Sequence, residues 1–313
     1  MNVMTDDISF YLPEYVPPEI LAYEGDLPQL KPGKAGKIGA LILTLERNSE
    51  TEKTVITDQF SRVPLFTQRA LYLEEELPTM AYVYLMTPSG GILQGDRYRI
   101  DLTLHKNAQA HITTQGATRL YRMEKNYATQ VVNIHVDDGC YLEYVPDQII
   151  PFKDSRFYQI VNATVHDNGA LVYSEMLSPG RVASDESFQY DILYLTTRAT
   201  NQEGKPRFTD AYVLEPKKNS LQRTGSMRNY PVVGNLYALT KASFNKELVS
   251  EITDSTKDLE GLEAGITVLP YDSGTMTRIL GQTADEVKAA IYRFVNIIRK
   301  TVIGAPFSGI RKY

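Results

Sequence analysis

Residues 87–122 read TPSGGILQGDRYRIDLTLHKNAQAHITTQGATRLYR and hold the densest run of turn and strand signals in the chain. Apolar and polar side chains alternate along residues 100–105 and again along residues 110–114. Such alternation is typical of half-buried β-strands, because successive side chains point to opposite faces of a sheet. The four residues 106–109 fit a hairpin loop, so the stretch predicts two strands joined by a tight turn.

The segment before these strands is rich in glycine. Gly90, Gly91 and Gly95 lie close together, and the last of them is followed by Asp96. This spacing indicates a backbone that takes positive φ angles or approaches another group closely. We therefore expect a tightly shaped loop at the start of the first strand.

Strand patterns continue over most of the chain. Further strands are predicted at residues 38–45, 54–57, 80–86, 131–136, 140–145, 156–166, 170–177 and 211–215. Asp138-Gly139 and Asn168-Gly169 lie between β-branched or aromatic runs, which is a strong local hairpin signal. The pattern predicts a mainly β fold, as a sandwich, a barrel or a stack of strands. No repeat of fixed period is visible, so the pattern alone does not establish a regular solenoid.

About two helices are predicted near the C-terminus. Phe244, Leu248 and Ile252 recur every four residues, which indicates an amphipathic helix near 243–258. In the second helix Thr283 and Glu286 have the spacing of a capping box.

The second helix has one apolar face and a clear end. Its apolar face comprises Val287, Ile291, Phe294, Ile298 and Val302. Arg299 and Lys300 lie in the closing turns, where the helix dipole favours positive charge, and Gly304 and Pro306 end the helix. The apolar face predicts packing against the sheet or against a partner.

The chain of 313 residues is long enough to bury a sizeable core, and we interpret residues 36–313 as one domain. Residues 1–35 contain five prolines and no sustained period, so an irregular extension is expected there. Residues 198–230 turn polar and loop-like, which suggests a flap or an internal boundary.

Composition excludes several classes of protein. The net charge of −5 argues against nucleic-acid binding, which requires a basic face, and no apolar run is long enough to span a membrane. The N-terminus lacks the features of a secretory signal, and Cys140 is the single cysteine, so a cytoplasmic location is expected. The 21 tyrosines suit protein interfaces, or they simply cover strands.

The usual signatures of an enzyme are missing from the sequence. Residues 31–40 superficially resemble a phosphate loop, but Ile38 follows Lys37 where Ser or Thr would be needed. No nucleophile elbow, zinc-protease helix or dinucleotide-binding turn is found. The four histidines are scattered, at His105, His111, His135 and His166. A non-catalytic protein without a tightly bound cofactor is therefore favoured.

Several blocks resemble the urease accessory protein D family, called H in some organisms. The family pattern of Gly-Gly, Gly-Asp, Thr-Thr and Tyr-Arg appears here as Gly90, Gly91, Gly95, Asp96, Thr113, Thr114, Tyr121 and Arg122. Further blocks lie at 36–46, 64–74, 142–152, 174–184 and 265–281, and the fourth of these includes Gly180 and Arg181. The resemblance runs from about residue 36 to residue 311.

The resemblance implies a fold, a function and partners. The implied fold is a β-helix-like or layered stack of antiparallel and mixed strands with helices near the C-terminus. The implied function is non-catalytic: a maturation factor that binds apo-urease and, with accessory proteins F and G, supports GTP-dependent nickel insertion. GTPase activity is then expected in the partner, and a dimer within the accessory complex is also implied.

Three carboxylates fall within the recurring blocks: Asp96, Glu143 and Glu175. Alternation places Leu142 and Tyr144 on the face opposite Glu143, so one interpretation is that the glutamate faces solvent. The other is that the three acids line an internal polar passage, where burial would require hydrogen bonds or a cation. The resemblance favours the passage, because the partners of this family handle Ni²⁺.

The scarcity of strong nickel ligands bears on the kind of nickel site. Ni²⁺ binds imidazole and thiolate tightly, and this chain gathers neither into a cluster. Oxygen ligands bind more weakly, and a conduit must release the ion that it admits. The sequence therefore predicts that Ni²⁺ passes through transiently and is not held at a tight site. Gly180 and Arg181 either serve the same path or only shape a turn.

Two alternatives stay open. One is a β-structured carbohydrate-active enzyme or binding module that uses paired carboxylates and a tyrosine-lined groove, although the chain has no tryptophan to stack on sugars. The other is a scaffold that never contacts metal. Replacing Glu143 and Glu175 by Ala separates conduit from scaffold, because only a conduit would form intact complexes that activate urease poorly.

Overall fold

The computed structural model of the chain describes residues 7–26 and 36–310. The predicted extension at 1–35 and the predicted domain at 36–313 therefore lie partly outside the described residues, at 1–6, 27–35 and 311–313. Over the described ranges, no helix is both long and apolar enough to span a membrane.

Strands dominate the described chain. In order they are β1 (Ile38–Arg47), β2 (Thr54–Arg62), β3 (Phe66–Thr67), β4 (Ala81–Met86), β5 (Arg97–His105), β6 (Gln109–Thr114), β7 (Thr118–Leu120), β8 (Ala128–Val136), β9 (Tyr141–Tyr144), β10 (Ile149–Pro151), β11 (Arg156–Val165), β12 (Ala170–Leu177), β13 (Gly180–Arg181), β14 (Glu186–Ser187), β15 (Ile192–Thr200), β16 (Pro206–Leu214), β17 (Val232–Leu239), β18 (Glu263–Val268) and β19 (Thr275–Gly281). The α-helices are α1 (Pro18–Leu21), α2 (Asn245–Thr256) and α3 (Ala284–Ile303), with short 3-10 turns at Ile8–Tyr11, Val182–Ser184, Ala242–Phe244 and Pro270–Asp272.

Most strands belong to two sheets that face each other. The first sheet has the order β16-β15-β11-β8-β5-β1-β2, and the second has the order β18-β19-β17-β12-β9-β6-β4-β3. In the middle of both sheets the neighbours are parallel, and the chain crosses from β5 to β6, from β8 to β9 and from β11 to β12. Each crossing adds one coil to a stack. The mainly β, β-helix-like fold with helices near the C-terminus is confirmed.

The predicted hairpin at 106–109 is wrong, because β5 and β6 lie in opposite sheets. The turns at Asp138-Gly139 and Asn168-Gly169 likewise join strands of different sheets. These turns are corners of the stack. A Cβ atom on Gly139 would lie 2.0 Å from Oδ1 of Asn107, which belongs to the equivalent corner of the preceding coil. The predicted turns are present, but turn residues alone do not distinguish a hairpin from a corner between two sheets.

The coils align equivalent side chains in ladders between the sheets. Leu104 of β5 is the register partner of Val136 on β8, which neighbours Val165 on β11, and all three are fully buried. Leu102 and Ile134 form the next rung. Burial of such side chains contributes about 1.5–3 kcal/mol each, so the ladders stabilise the stack from within.

Several strands were not predicted. β17 reads as an almost continuous apolar run, VVGNLYAL, because its two faces contact different cores, the inter-sheet core and the layer under α3. Such a strand carries no alternation.

The polar region 198–230 includes β16, which is the edge strand of the first sheet. Its role as a flap or boundary stays a prediction.

The described part of the extension lies on the first sheet. Ile20 of α1 is fully buried and packs with Tyr127, Val131, Tyr158 and Ile160 on the outer face of that sheet.

The last helix, α3, covers the outer face of the second sheet. Val287, Ile291, Phe294 and Ile298 are buried there, so the predicted apolar face is confirmed. The capping box is also present: Glu286 N donates to Thr283 Oγ1 at 3.2 Å, and Thr283 N donates to Glu286 Oε2 at 2.9 Å.

We expect Thr283→Ala to lower the free energy of unfolding by about 1 kcal/mol, because the variant loses the side-chain acceptor that caps α3. Urea denaturation would measure this change. The matched control is Thr253→Ala on the exposed side of α2, where alanine removes no cap and should be neutral or slightly stabilising. Equal losses in both variants would contradict a specific contribution of the cap.

Candidate functional site

A buried cluster of charged side chains lies between the second sheet and α3. Glu143 on β9 accepts hydrogen bonds from Arg299 Nε at 2.7 Å and from Arg299 Nη2 at 2.5 Å. His111 Nδ1 lies 2.5 Å from Glu143 Oε2, and the Tyr141 hydroxyl donates to Oε1 at 2.7 Å. His111 and Glu143 meet because they are register partners on the parallel strands β6 and β9. Each carboxylate oxygen thus has two polar neighbours.

Arg299 determines the ionisation of Glu143. Burial alone would raise the pKa of Glu143, but the hydrogen bonds and charge of Arg299, assisted by His111, outweigh burial and lower this pKa to about 2. The solvent-facing interpretation of Glu143 is wrong, since α3 covers that face of β9 and the side chain is fully buried. The group is a structural ion pair.

Arg299 also ties α3 to two other segments. Its Nη1 donates to Glu74 Oε2 at 2.5 Å and to the Pro306 carbonyl at 3.2 Å, and its guanidinium lies 4.5 Å from the ring centre of Phe307. The sequence located Arg299 only by its place near the helix end. A signal for its burial existed: it follows the buried Val295 by four residues and so shares the sheet-facing side.

Asp96 has a different role at the start of β5. Its carboxylate accepts hydrogen bonds from Lys37 N at 2.8 Å, Leu93 N at 2.9 Å and the Tyr98 hydroxyl at 3.0 Å. Burial raises the pKa of Asp96, although these hydrogen bonds counteract it. Gly95 precedes it with a φ of 75°. Asp96 therefore fixes the glycine loop against the beginning of β1.

A cavity of about 330 Å³ lies between the two sheets. Its mouth lies at the ends of β4, β6 and β9, where the exposed Gly90, Gln115 and Arg119 contribute to the rim. A single water needs only about 10–15 Å³ of such volume, so the cavity has room for a hydrated ion. Polar groups line its interior: Tyr98, Gln130, Tyr144, Gln159, Tyr173 and Glu175.

Glu175 on β12 is the buried acid of this cavity, with 3% of its surface exposed. Its carboxylate accepts hydrogen bonds from Gln159 Nε2 at 2.9 Å, from the Tyr173 hydroxyl at 3.3 Å and from the Tyr212 hydroxyl. Among the described residues it forms no ion pair. Burial raises the pKa of Glu175, although the hydrogen bonds from Tyr212 and Tyr173 counteract it. Glu175 is therefore a buried carboxylate whose hydrogen-bond partners here are neutral side chains.

Stacked aromatic rings form one wall beside Glu175. Tyr144 and Tyr173 have ring centres 5.6 Å apart, Tyr173 and Tyr237 are 5.8 Å apart, and Phe208 continues the stack at 5.2 Å from Tyr237. The three tyrosines are buried, so they pack within the core and do not form a protein interface here.

The three predicted carboxylates do not share one space. Leu142 and Tyr144 face the inter-sheet core, so Glu143 points to the helix side of the second sheet. Glu175 points into the cavity on the other side of that sheet. Neither Glu143 nor Asp96 lines the cavity. Glu143 and Glu175 are thus not arranged as the facing acid pair that the carbohydrate alternative requires.

The glycine and Tyr-Arg motifs meet near the mouth of the cavity. A Cβ atom on Gly91 would lie 2.7 Å from the Tyr121 ring, and one on Gly90 would lie 2.8 Å from the Tyr121 hydroxyl. The Tyr121 ring packs edge-on against Phe152 at 5.0 Å, and the Arg181 guanidinium lies 4.4 Å from the centre of that same Phe152 ring. The glycines leave room for this aromatic contact.

The other motif residues shape the neighbouring loops. Thr113 Oγ1 donates to the Val145 carbonyl at 2.5 Å, and Thr114 Oγ1 accepts from Asp147 N at 2.8 Å. Arg122 forms an exposed ion pair with Asp154 at 3.2 Å. Gly180 has a φ of 140°, and a Cβ atom there would lie 2.2 Å from the Glu186 carbonyl oxygen.

In residues 7–26 and 36–310, no three His, Cys, Asp or Glu side chains are grouped so that they could hold a metal ion together. The polar side chains that line the cavity include two carboxylates, Asp147 and Glu175, three side-chain amides and several hydroxyls. These oxygen donors are weak ligands for Ni²⁺ compared with imidazole or thiolate.

Comparison with known proteins gives one consistent family. The model of the UreD urease accessory protein family matches residues 37–312. Urease accessory protein UreD of Cenarchaeum symbiosum (strain A) is 40% identical over 91% of this chain and 99% of its own length. The protein of the same name from Photorhabdus laumondii is 37% identical over 92% of this chain and 89% of its own. Urease accessory protein UreD 2 of Brucella suis is 39% identical over 92% and 95%, respectively.

Proposed function

Because the chain belongs to the UreD urease accessory protein family, we propose that it binds apo-urease and, with accessory proteins F and G, supports insertion of Ni²⁺ into the urease active site. In this proposal the chain is not an enzyme, and the GTP-dependent step belongs to the G partner. The chain acts in the cytoplasm, as a scaffold that also admits nickel.

The observation that carries the nickel role is the cavity with Glu175 inside it. Glu175 is buried without a cationic side chain as partner among the described residues. A buried carboxylate without a counterion favours either a proton or a cation. Tyr173 adds a neutral hydroxyl oxygen beside it, and Gln159 donates its Nε2 to the carboxylate. A divalent cation would gain a charged ligand there, and this set of ligands is weak enough to release it.

We assign the other two acids to the fold. Glu143 already has Arg299 as its counterion, and Asp96 is engaged by two backbone amides and a tyrosine hydroxyl. If a passing ion displaced those partners, it would leave a buried arginine charge or two backbone amides without a partner. Of the three acids predicted to line a passage, only Glu175 is retained in the proposed one.

The test is to purify urease from cells that carry the urease genes with and without this chain. We expect urease from cells without it to be folded but poor in nickel, and restoring the chain should restore both nickel and activity. Metal analysis gives the nickel content, and gel filtration shows that both preparations have assembled. Equal nickel loading in the two preparations would refute the proposed function.

A further inference from the structure

A line of polar side chains continues from Glu175 away from the mouth of the cavity. The Tyr212 hydroxyl donates to Glu175, and Asn235 Nδ2 donates to the same hydroxyl at 3.2 Å. Arg278 Nε then donates to Asn235 Oδ1 at 2.9 Å. These residues lie on β12, β16, β17 and β19, so the line crosses from one sheet to the other and then runs outward.

The outer end of this line reaches the surface at an acid. Arg278 Nη2 lies 3.0 Å from Asp210 Oδ2, and the Tyr237 hydroxyl donates to the same oxygen at 2.8 Å. The side chain of Asp210 is 26% exposed and that of Arg278 is 50% exposed. Solvent therefore reaches both, whereas Glu175 is buried behind them.

The position of this acid differs from that of the cavity mouth. The mouth lies beside β4 and β6, whereas β16 is the edge strand of the first sheet and β19 is next to the edge of the second. From the mouth the cavity crosses β9 to reach β12, and the polar line continues through β17 to β19. The two exposed ends thus lie toward opposite edges of the sandwich.

Tyr212 is the side chain that links Glu175 to Asn235 in this line. It is half-buried, and its neighbours Ala211 and Val213 on β16 are exposed, so only one side of this edge strand is packed against the core. Its hydroxyl is held by Glu175 and Asn235. Rotation of this ring would break the hydrogen bonds that link Glu175 to Asn235.

We propose that the surface formed by Tyr212, Asn235, Arg278 and Asp210 is the second opening of the cavity, that Tyr212 closes it, and that Asp210 is the carboxylate at which a divalent cation enters or leaves. This inference rests on the proposed function, because a passage needs two openings. Arg278 neutralises Asp210 in the closed form, so the cation and the guanidinium compete for the same carboxylate.

Chemical blocking of this surface tests the proposal in the full chain. Arg278→Cys would be labelled with a bulky maleimide, and urease would then be activated with the labelled chain, accessory proteins F and G, GTP and Ni²⁺. The sole native cysteine, Cys140, is buried, so labelling should be confined to the new thiol. We expect the labelled variant to load severalfold less nickel than the same variant unlabelled.

The matched control is Glu263→Cys with the same label, because Glu263 lies on the neighbouring strand β18 and is comparably exposed, at 45%. It should load nickel normally. Equal inhibition by both labels, or by neither, would overturn the second opening. If the Arg278 label prevents complex formation, Asp210→Asn decides: reduced loading in an intact complex supports the proposal, and normal loading overturns it.

Glu175→Gln, assayed in parallel, distinguishes failure of this inference from failure of the proposed nickel role. Reduced loading by Glu175→Gln together with normal loading by the labelled Arg278→Cys would refute the second opening alone. Normal loading by all variants would refute nickel passage through the cavity.

Discussion

Glu143→Gln is expected to lower the free energy of unfolding by about 3 kcal/mol, because the Arg299 guanidinium loses the carboxylate that holds both Nε and Nη2 and keeps Glu74 as its remaining carboxylate partner. The side chains of Glu143 and Arg299 are both fully buried. The loss corresponds to a fall in melting temperature of roughly 6–12 °C for a domain of this size class. Thermal melts followed by circular dichroism would measure it.

The same pair gives a pH dependence of known sign. The pKa of Glu143 is about 2 in the folded chain, below the ordinary value of 4.5, so the unfolded chain binds the proton more readily. The stability from ionised Glu143 is therefore fully present above about pH 4.5 and is lost as the pH falls toward 2. Glu143→Gln should lack this component, so the difference from the parent chain should shrink in acid.

Glu263→Gln is the matched control for this prediction. Glu263 pairs with Arg228 on the surface, where both side chains are about half exposed, and such pairs contribute only about 0–1 kcal/mol. A Glu143 variant as stable as the Glu263 variant would show that the buried ion pair does not hold α3 to the sheet.

Glu175→Gln is expected to produce the opposite combination: a stable chain that forms the accessory complex and loads little nickel into urease. Glutamine keeps the shape and can still accept a hydrogen bond from Gln159 or Tyr212, but it provides no charge for Ni²⁺. The measurement is nickel per urease active site, together with gel filtration of the complex. Normal loading with this variant would remove Glu175 from the proposed path.

Stability provides an independent readout for the same variant. The folded-state pKa of Glu175 is raised, so the folded chain binds the proton more readily than the unfolded chain. Stability from this group therefore falls as the pH rises from the ordinary glutamate value of 4.5 through the raised pKa. Glu175→Gln removes that penalty, and at pH 7–8 it should be at least as stable as the parent chain.

These two glutamates show why alanine substitution at both is a poor test of a conduit. Replacing Glu143 breaks the ion pair with Arg299, so poor urease activation would follow from a damaged fold. Glu175 has no ion pair to lose within the described chain, so replacing it leaves the salt bridges of the fold in place. Only the second substitution reports on passage.

The sequence was most informative where the deciding interaction is local. Alternation identified strands such as β5 and β6, and the Thr283–Glu286 spacing identified the start of α3. The partners of those strands could not be derived, because a four-residue turn serves a hairpin and a coil corner equally well. The pairing of β5 with β1 and β8 depends on contacts with distant parts of the chain.

The candidate site was partly predictable for the same reason. The alternation on β9 correctly placed Glu143 on the face opposite Leu142 and Tyr144. The sequence near β9 gave no sign that α3 covers that face. Arg299 lies 156 positions after Glu143, and Tyr212 lies 37 positions after Glu175. Contacts over such separations arise from the stacking of whole elements, which no short pattern encodes.

The stack of Tyr144, Tyr173, Tyr237 and Phe208 also gives the chain an intrinsic optical probe. Because the sequence contains no tryptophan, its near-ultraviolet circular dichroism comes mainly from tyrosine rings in fixed, asymmetric surroundings. Parallel tyrosines with centres less than 6 Å apart lie close enough for their transitions to couple. A change of this signal on addition of Ni²⁺ or of a partner, absent in a Tyr173→Phe variant, would therefore report movement in the wall beside Glu175 without any label.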